Sequence, residues 1–319
     1  MRADRERRGK RPPAGESAAM SAPINEPTDQ VVAEYGLYRD LYDSRPVRFA
    51  GCTALEPLVA EMKRRMDAEQ PFSMARLGDG EGACLFYGHP GMDSLSEYVL
   101  RRTLILHFSG QPYTERDLLF FKNEMARATR TADLVTFARK RQVHENMVAS
   151  ESADIRGYVG CTSANRFVSD LEPDRDRLLY EDGYLHVALF PFYADLLRDR
   201  TVVTVSSAPD AFCEKLARHF SFNLLDTIQI PDQAVNQKGR LDSYLYPDHL
   251  DGVRQQVRGA ARPGTVFVMA AGLATKFLCA DVRQYGGFAL DVGSAMDVWQ
   301  GKSVRPYQRD AFVTRHQIA

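Results

Sequence analysis

Three observations predict an α/β fold here: a Rossmann-like, doubly wound and mostly parallel sheet with helices on both faces. First, uncharged β-branched runs such as "TVVTVSS" (Thr201 to Ser207) end in small-residue turns and pass directly into amphipathic helices. Second, "TVFVMAAG" (Thr265 to Gly272) and "GGFALDVG" (Gly286 to Gly293) repeat that order: strand, small-residue turn, helix, strand. Third, 319 residues with 44% apolar and 26% charged content supply a full core with an ordinary surface.

Taken in chain order, residues 1–30 read as a disordered leader. "MRADRERRGKRPPAGESAAMSAPINEP" is polar, Arg-rich and proline-punctuated, with no apolar segment of the kind a secretory signal needs. Met20 within it is an alternative start. Residues 31–319 read as a single α/β domain of alternating helical and strand signals. Pro57 to Glu69 carries apolar residues at helical spacing. "FSMARL" then reads as a buried strand stopped by Gly78-Asp79-Gly80, with a helix expected over "EGACLFYG". Asp93 to Leu106 and Glu115 to Thr129 read as helices, the first capped by Asp93 or Ser94; its tail "LILH" also reads as a short strand ending at His107. Ala132 to Ala138 and Ile155 to Thr162 are expected as strands. In the second half, "DAFCEKLARHF" is expected as a helix, "NLLDTIQI" as a strand, and "LATKFLCADVRQY" as a helix.

Composition narrows the function classes. The formal net charge of −1 gives no global field to recruit nucleic acid. No apolar run has the roughly 18 residues of a membrane span, so any membrane contact is expected to be peripheral. The five cysteines are scattered and never form a CxxC pair, so free thiols in a reducing cytoplasm are expected. The seven histidines show no HExxH spacing, and no G-x-S-x-G elbow accompanies them. G-x-G-x-x-G and the P-loop pattern are also absent.

In a parallel sheet the ligand crevice lies at the carboxyl ends of the strands. Four turns are expected to gather on that rim: Gly78-Asp79-Gly80-Glu81, Ser206-Ser207-Ala208, Ala271-Gly272, and Asp291-Val292-Gly293-Ser294. If the first of these is extended, Asp79 and Glu81 point to one side, as i and i+2 do in a strand. Such a pair suits a hard divalent cation beside a diphosphate, or one acid binding metal while the other serves as general base. The competing reading is a capped turn, with one acid satisfying the free amides of the next helix. Ser206 and Ser207 offer a turn able to cradle a phosphate, or merely to cap.

"ARLGDGE", followed far downstream by "AAGLATKFLCADVRQYGGFALDVGS", resembles the GT-D type glycosyltransferases. These bacterial sugar transferases carry a D-x-E motif within an "RFGDGE"-like stretch. The later block matches at Gly272, Ala274, Thr275, Leu278, Ala280, Asp281, Gly287, Ala289, Leu290, Asp291 and Gly293. The resemblance implies that Asp79 and Glu81 handle a divalent metal, Mn2+ or Mg2+, and the nucleotide sugar, with Arg76, Gly78 and Gly80 completing the motif. Leu77 replaces the usual aromatic, Ala271-Gly272-Leu273 replaces "GPT", and Ser294 stands at the usual histidine. The tail through Asp297, Arg305 and Tyr307 follows a variant associated with polysaccharide biosynthesis.

The implied function is transfer of a sugar from a nucleotide-diphosphate donor to a glycan, glycoconjugate or other hydroxyl acceptor. A cytoplasmic location, including the inner face of the membrane, fits that role, and a homo-oligomer is compatible with it. Charge on the leaving diphosphate is expected to be offset by the metal, Lys276 or Arg305, with Glu81, Asp291 or Asp297 as base. Gly272, Thr275, Gly293 and Ser294 complete the expected donor site. The alternatives are a metal-dependent phosphoesterase and a nucleotide-sugar-binding protein without turnover.

Overall fold

The computed structural model describes residues 26–43, 52–108, 112–139, 143–144, 155–171, 177–232, 244–303 and 310–318. Most of the expected leader, and Arg305 and Tyr307, lie outside the described residues. Helix α1 (Asp29–Asp43) opens the described chain and is followed by α2 (Leu55–Asp67), which buries Leu58, Val59, Met62 and Met66. Strand β1 (Met74–Arg76) leads into α3 (Asp79–Phe86). Helices α4 (Asp93–His107) and α5 (Glu115–Thr131) precede β2 (Leu134–Thr136). Helix α6 (Ile155–Ser169) precedes β3 (Leu178–Tyr180).

In the second half, two short helices, α7 (Leu185–Ala188) and α8 (Tyr193–Leu197), lead to β4 (Thr201–Ser206) and α9 (Asp210–Phe220). Then come β5 (Asn223–Gln229), α10 (Leu250–Ala260), β6 (Thr265–Ala270) and α11 (Ala274–Gln284). Strand β7 (Phe288–Asp291), α12 (Ala295–Trp299) and α13 (Asp310–His316) close the chain.

The strands pair in parallel as two sheets, ordered β1-β2-β3 and β5-β4-β6-β7. A parallel bridge between Phe72 and Phe288 joins their edges, so β1 lies beside β7. Phe72 N donates to Gly287 O, Ala289 N donates to Phe72 O, and the two rings stack 4.4 Å apart. The composite order is therefore β3-β2-β1-β7-β6-β4-β5. The connection leaving β1 turns toward β2, whereas β7 is reached from β6. A crevice opens at such a reversal, outside the carboxyl ends of β1 and β7. Helix α11 covers this junction with Phe277, Leu278 and Val282, packed in one core with Phe121 of α5 and Phe267 of β6.

Four expectations are corrected. Residues 155–162 form the first half of α6, not a strand. Their β-compatible types mask a helical stripe of small residues, Gly157, Gly160, Cys161 and Ala164, all buried. "LILH" is the last turn of α4 rather than a strand, and Met92, not Asp93 or Ser94, precedes that helix as its cap. Helix α3 starts at Asp79, earlier than expected, so Asp79 and Glu81 are helical rather than extended.

Candidate active site

Arg76, the last residue of β1, reaches across to the end of β7. Its Nε donates to Asp291 O at 3.1 Å and its Nη2 to Asp291 Oδ1 at 2.7 Å. Lys276, in the first turn of α11, lies 3.1 Å from Asp291 Oδ2 and 2.5 Å from Glu81 Oε1. The second Glu81 oxygen accepts from Gly78 N at 2.9 Å, half of a capping box for α3. Two cations and two anions thus alternate as Arg76, Asp291, Lys276, Glu81 along the floor of the crevice. The floor is dry: Asp291 is 1% exposed and Lys276 4%.

Burial alone would push the Glu81 carboxyl up. The charge and hydrogen bond of Lys276, with further help from the backbone and His107, more than offset this and hold it below its ordinary value. For Lys276, burial works against the ammonium, but Asp291 and then Glu81 outweigh that and raise it. Both groups are therefore charged at neutral pH. Nearby Cys84 is driven the other way: burial, and then the Glu81 charge, raise its thiol and keep it protonated.

Asp79 faces elsewhere. On a helix, residues i and i+2 diverge. Asp79 is 40% exposed and pairs with Arg156 of α6 at 2.7 Å, while its Oδ1 accepts from Gly80 N. The expected convergence of Asp79 and Glu81 is thus overturned by the early start of α3. As a chelating pair they do not fit a shared divalent cation. One carboxylate is committed to Lys276 and Gly78, the other to Arg156, and among the described residues no group of three His, Cys, Asp or Glu side chains converges to hold a metal.

The remaining expected residues divide by distance from the β1–β7 junction. Gly293 adopts φ +47°, and a Cβ there would sit inside the Arg76 guanidinium. Ser294 Oγ is 3.1 Å from His186 Nε2, and Asp297 lies in the first turn of α12. Gly272 adopts φ +58°, and Thr275 Oγ1 accepts from Ala271 N at 2.8 Å, shaping the β6 turn. Gly80 packs against Leu273 and the His107 ring, so His107 does reach the rim, from the end of α4. Ser206 ends β4, two strands from β7, with Ser207 just beyond it, and Ser206 Oγ accepts from Ala208 N. That bond is local to the turn, and no side chain caps α9, whose N-cap residue is Pro209. A recess lined by His107, Asp232, Ala271 and Gly272 lies on this rim, whereas a cavity of about 230 Å³, lined by Asp67, Glu69, Asp199 and Arg200, opens at the amino ends of the strands.

Two residues at the crevice escaped sequence reasoning. Arg156 was hidden by reading its segment as a strand, although the small-residue stripe of α6 carried a helical signal. His186, 3% exposed and 2.7 Å from Arg76 Nη1, has no motif around it.

A parallel α/β sheet with an ion-paired floor between two strand ends has the architecture in which α/β domains bind ligands at the strands' carboxyl ends. The chain matches the model of the GT-D fold-like domain over residues 53–299, and it belongs to that family. That span runs from just before α2 to the end of α12 and contains every described residue of the floor. Among curated protein sequences none matches it. Two solved structures of domain of unknown function 1792, one of them a selenomethionine-substituted form and the other described as having a distinct glycosyltransferase fold, are similar at 16% identity. Each comparison covers 74% of this chain and 76% of the other, with a TM-score of 0.42. Among the described residues no helix is long and apolar enough to cross a membrane.

Proposed function

We propose that this chain is a glycosyltransferase that moves a sugar from a nucleotide-diphosphate donor to a hydroxyl of a glycan or glycoconjugate. The observation that carries this reading is the place of the D-x-E block. In a chain of the GT-D-like family, the block opens α3 directly after β1, with Glu81 paired to Lys276 on the floor of the crevice and Asp79 paired to Arg156. Bond cleavage at the anomeric carbon loads negative charge onto the diphosphate, and fixed cations in a dry site stabilise that charge without reorganising. Asp291 holds Arg76 in place, and Asp291 with Glu81 keeps Lys276 charged and aimed. On this reading Asp79, the more exposed acid of the block, takes the acceptor proton.

Asp79→Asn tests this. Turnover should fall on the order of 10²-fold or more, the usual contribution of a general base. Stability should change by less than about 1 kcal/mol, because the Asp79–Arg156 pair is partly exposed. Full turnover by that variant with its true substrates excludes the role. A thermal-shift series with nucleoside diphosphates and their sugars, with and without Mn2+ or Mg2+, reads donor class and metal dependence together. A second reading, nucleotide-sugar binding without turnover, is favoured by one feature: both inner acids are already ion-paired. Calorimetric binding with no transfer to any acceptor identifies that case.

A further inference from the structure

Asp281 lies five positions beyond Lys276 on α11, which runs from the rim back toward the amino ends of the strands. It is fully buried, and three arginines meet on it. Arg254 of α10 grips it with a fork, Nε donating to Oδ2 at 2.7 Å and Nη2 to Oδ1 at 3.0 Å. Arg258, one turn further along α10, donates to Oδ2 from Nε at 3.3 Å and from Nη2 at 3.1 Å. Arg127 of α5 donates from Nη2 to Oδ1 at 3.2 Å. Oε2 of Glu124, one turn earlier on α5, lies 2.9 Å from Arg127 Nη2 and 3.0 Å from Arg254 Nη1.

One bidentate arginine is enough to pair a buried carboxylate. Here five N–H contacts reach two oxygens that offer about four lone-pair positions, and three cations face two anions. The excess sits on the outer pair. Arg254 is almost buried and uses Nε, Nη1 and Nη2 on the two acids, whereas Arg127 and Arg258 are each about a third exposed. Among the described residues, Arg127 Nε is buried and meets no acceptor. Neither acid engages Nη1 of Arg127 or of Arg258. The half-exposed ring of Tyr285, just past α11, supports Arg258, with 6.0 Å between the guanidinium carbon and the ring centre. Two part-exposed guanidiniums with donors to spare, tied to one carboxylate, match the several oxygens of a phosphoryl group.

We propose that Arg127 and Arg258, held together by Asp281, form a second anion site that takes a phosphoryl group. Arg254 anchors the carboxylate beneath it, and Tyr285 flanks it. The site lies outside the crevice and does not depend on the proposed transferase reaction. Free phosphate and the headgroup of phosphatidic acid present the same chemistry, so the test separates those two sources.

The test uses the full chain. Inorganic phosphate is titrated at constant ionic strength while nitrogen–proton spectra follow the arginine side chains. The Arg127 and Arg258 resonances should shift together and saturate. Arg127→Gln and Arg258→Gln should each weaken this binding about tenfold or more, the scale of a lost hydrogen bond to a charged group. Arg258→Lys, which keeps the charge but not the fork, should recover part of that loss. Urea midpoints check that each variant is folded; if a glutamine variant is not, the wild-type resonances decide alone. No saturable shift at Arg127 and Arg258, or undiminished binding in both glutamine variants, overturns the site. Phosphate that moves Arg76 but neither of these arginines reports the crevice and also overturns it. A second arm identifies the source, by cosedimentation with phosphatidylcholine vesicles with and without phosphatidic acid. Retention that needs phosphatidic acid and is lost in the glutamine variants assigns the group to a lipid. Phosphate binding without such retention assigns it to a free ligand.

Discussion

At the scale of single residues, Glu81 and Asp79 share a motif and differ in every physical respect. Glu81 is buried against Lys276 and is part of what holds α3 to α11. Asp79 faces outward against Arg156. Substituting them should therefore give different phenotypes. Lys276→Met would leave Glu81 and Asp291 buried without their shared cation, and should cost about 3–5 kcal/mol in chemical denaturation. Asp79→Asn should leave stability almost unchanged while removing turnover. Gly293→Ala belongs at this scale too. Its Cβ would meet the Arg76 guanidinium and its backbone is left-handed, so nucleotide binding should weaken as Arg76 is displaced from Asp291.

At the scale of elements, the D-x-E turn is positioned by a helix crossing. Helices α3 and α6 pack so closely that a Cβ on Gly82 would overlap the Gly160 carbonyl, and one on Gly160 would overlap the Asp79 backbone. Backbone-to-backbone contact of this kind leaves no flexible side chain to move aside. Gly160→Ala should therefore destabilise by about 1–3 kcal/mol, measured by urea denaturation, and also shift Asp79 relative to Arg156. The same crossing explains the misreading of 155–162. Val159 and Tyr158 have strand-like preferences, but the stripe of Gly157, Gly160, Cys161 and Ala164 matters more, because it lets α6 approach α3.

At the scale of the whole molecule, the two sheets meet through Phe72 and Phe288. Phe72→Ala opens a cavity at that seam and should cost about 3–5 kcal/mol in thermal or chemical unfolding, with the β1–β7 crevice distorted alongside. Stability should also depend on pH through the buried floor. Glu81 is depressed in the folded chain, so its contribution is complete above the ordinary value of 4.5 and is lost as pH falls through the lower folded value. Lys276 is raised, so its contribution is complete below the ordinary value of 10.5 and is lost as pH rises through the higher folded value. Denaturation midpoints should fall at the acid end in the wild type, and this fall should be shallower in Glu81→Gln.

By itself the sequence determined the parallel α/β class, the strands β1, β2, β4, β5, β6 and β7, and the helices α9 and α11 among them. It also determined which turns share the rim, because β-branched runs, small-residue turns and amphipathic spacing are local signals. It marked Asp79, Glu81, Asp291 and Lys276 as worth attention. Only the tertiary structure decided what those residues touch. The start of α3 turned two adjacent acids to opposite faces, and the β1–β7 seam brought Arg76 to Asp291. The segment after β3 set His186 between Arg76 and Ser294. Direction and partnership come from contacts between residues far apart in the chain, and no local pattern of residue types encodes them.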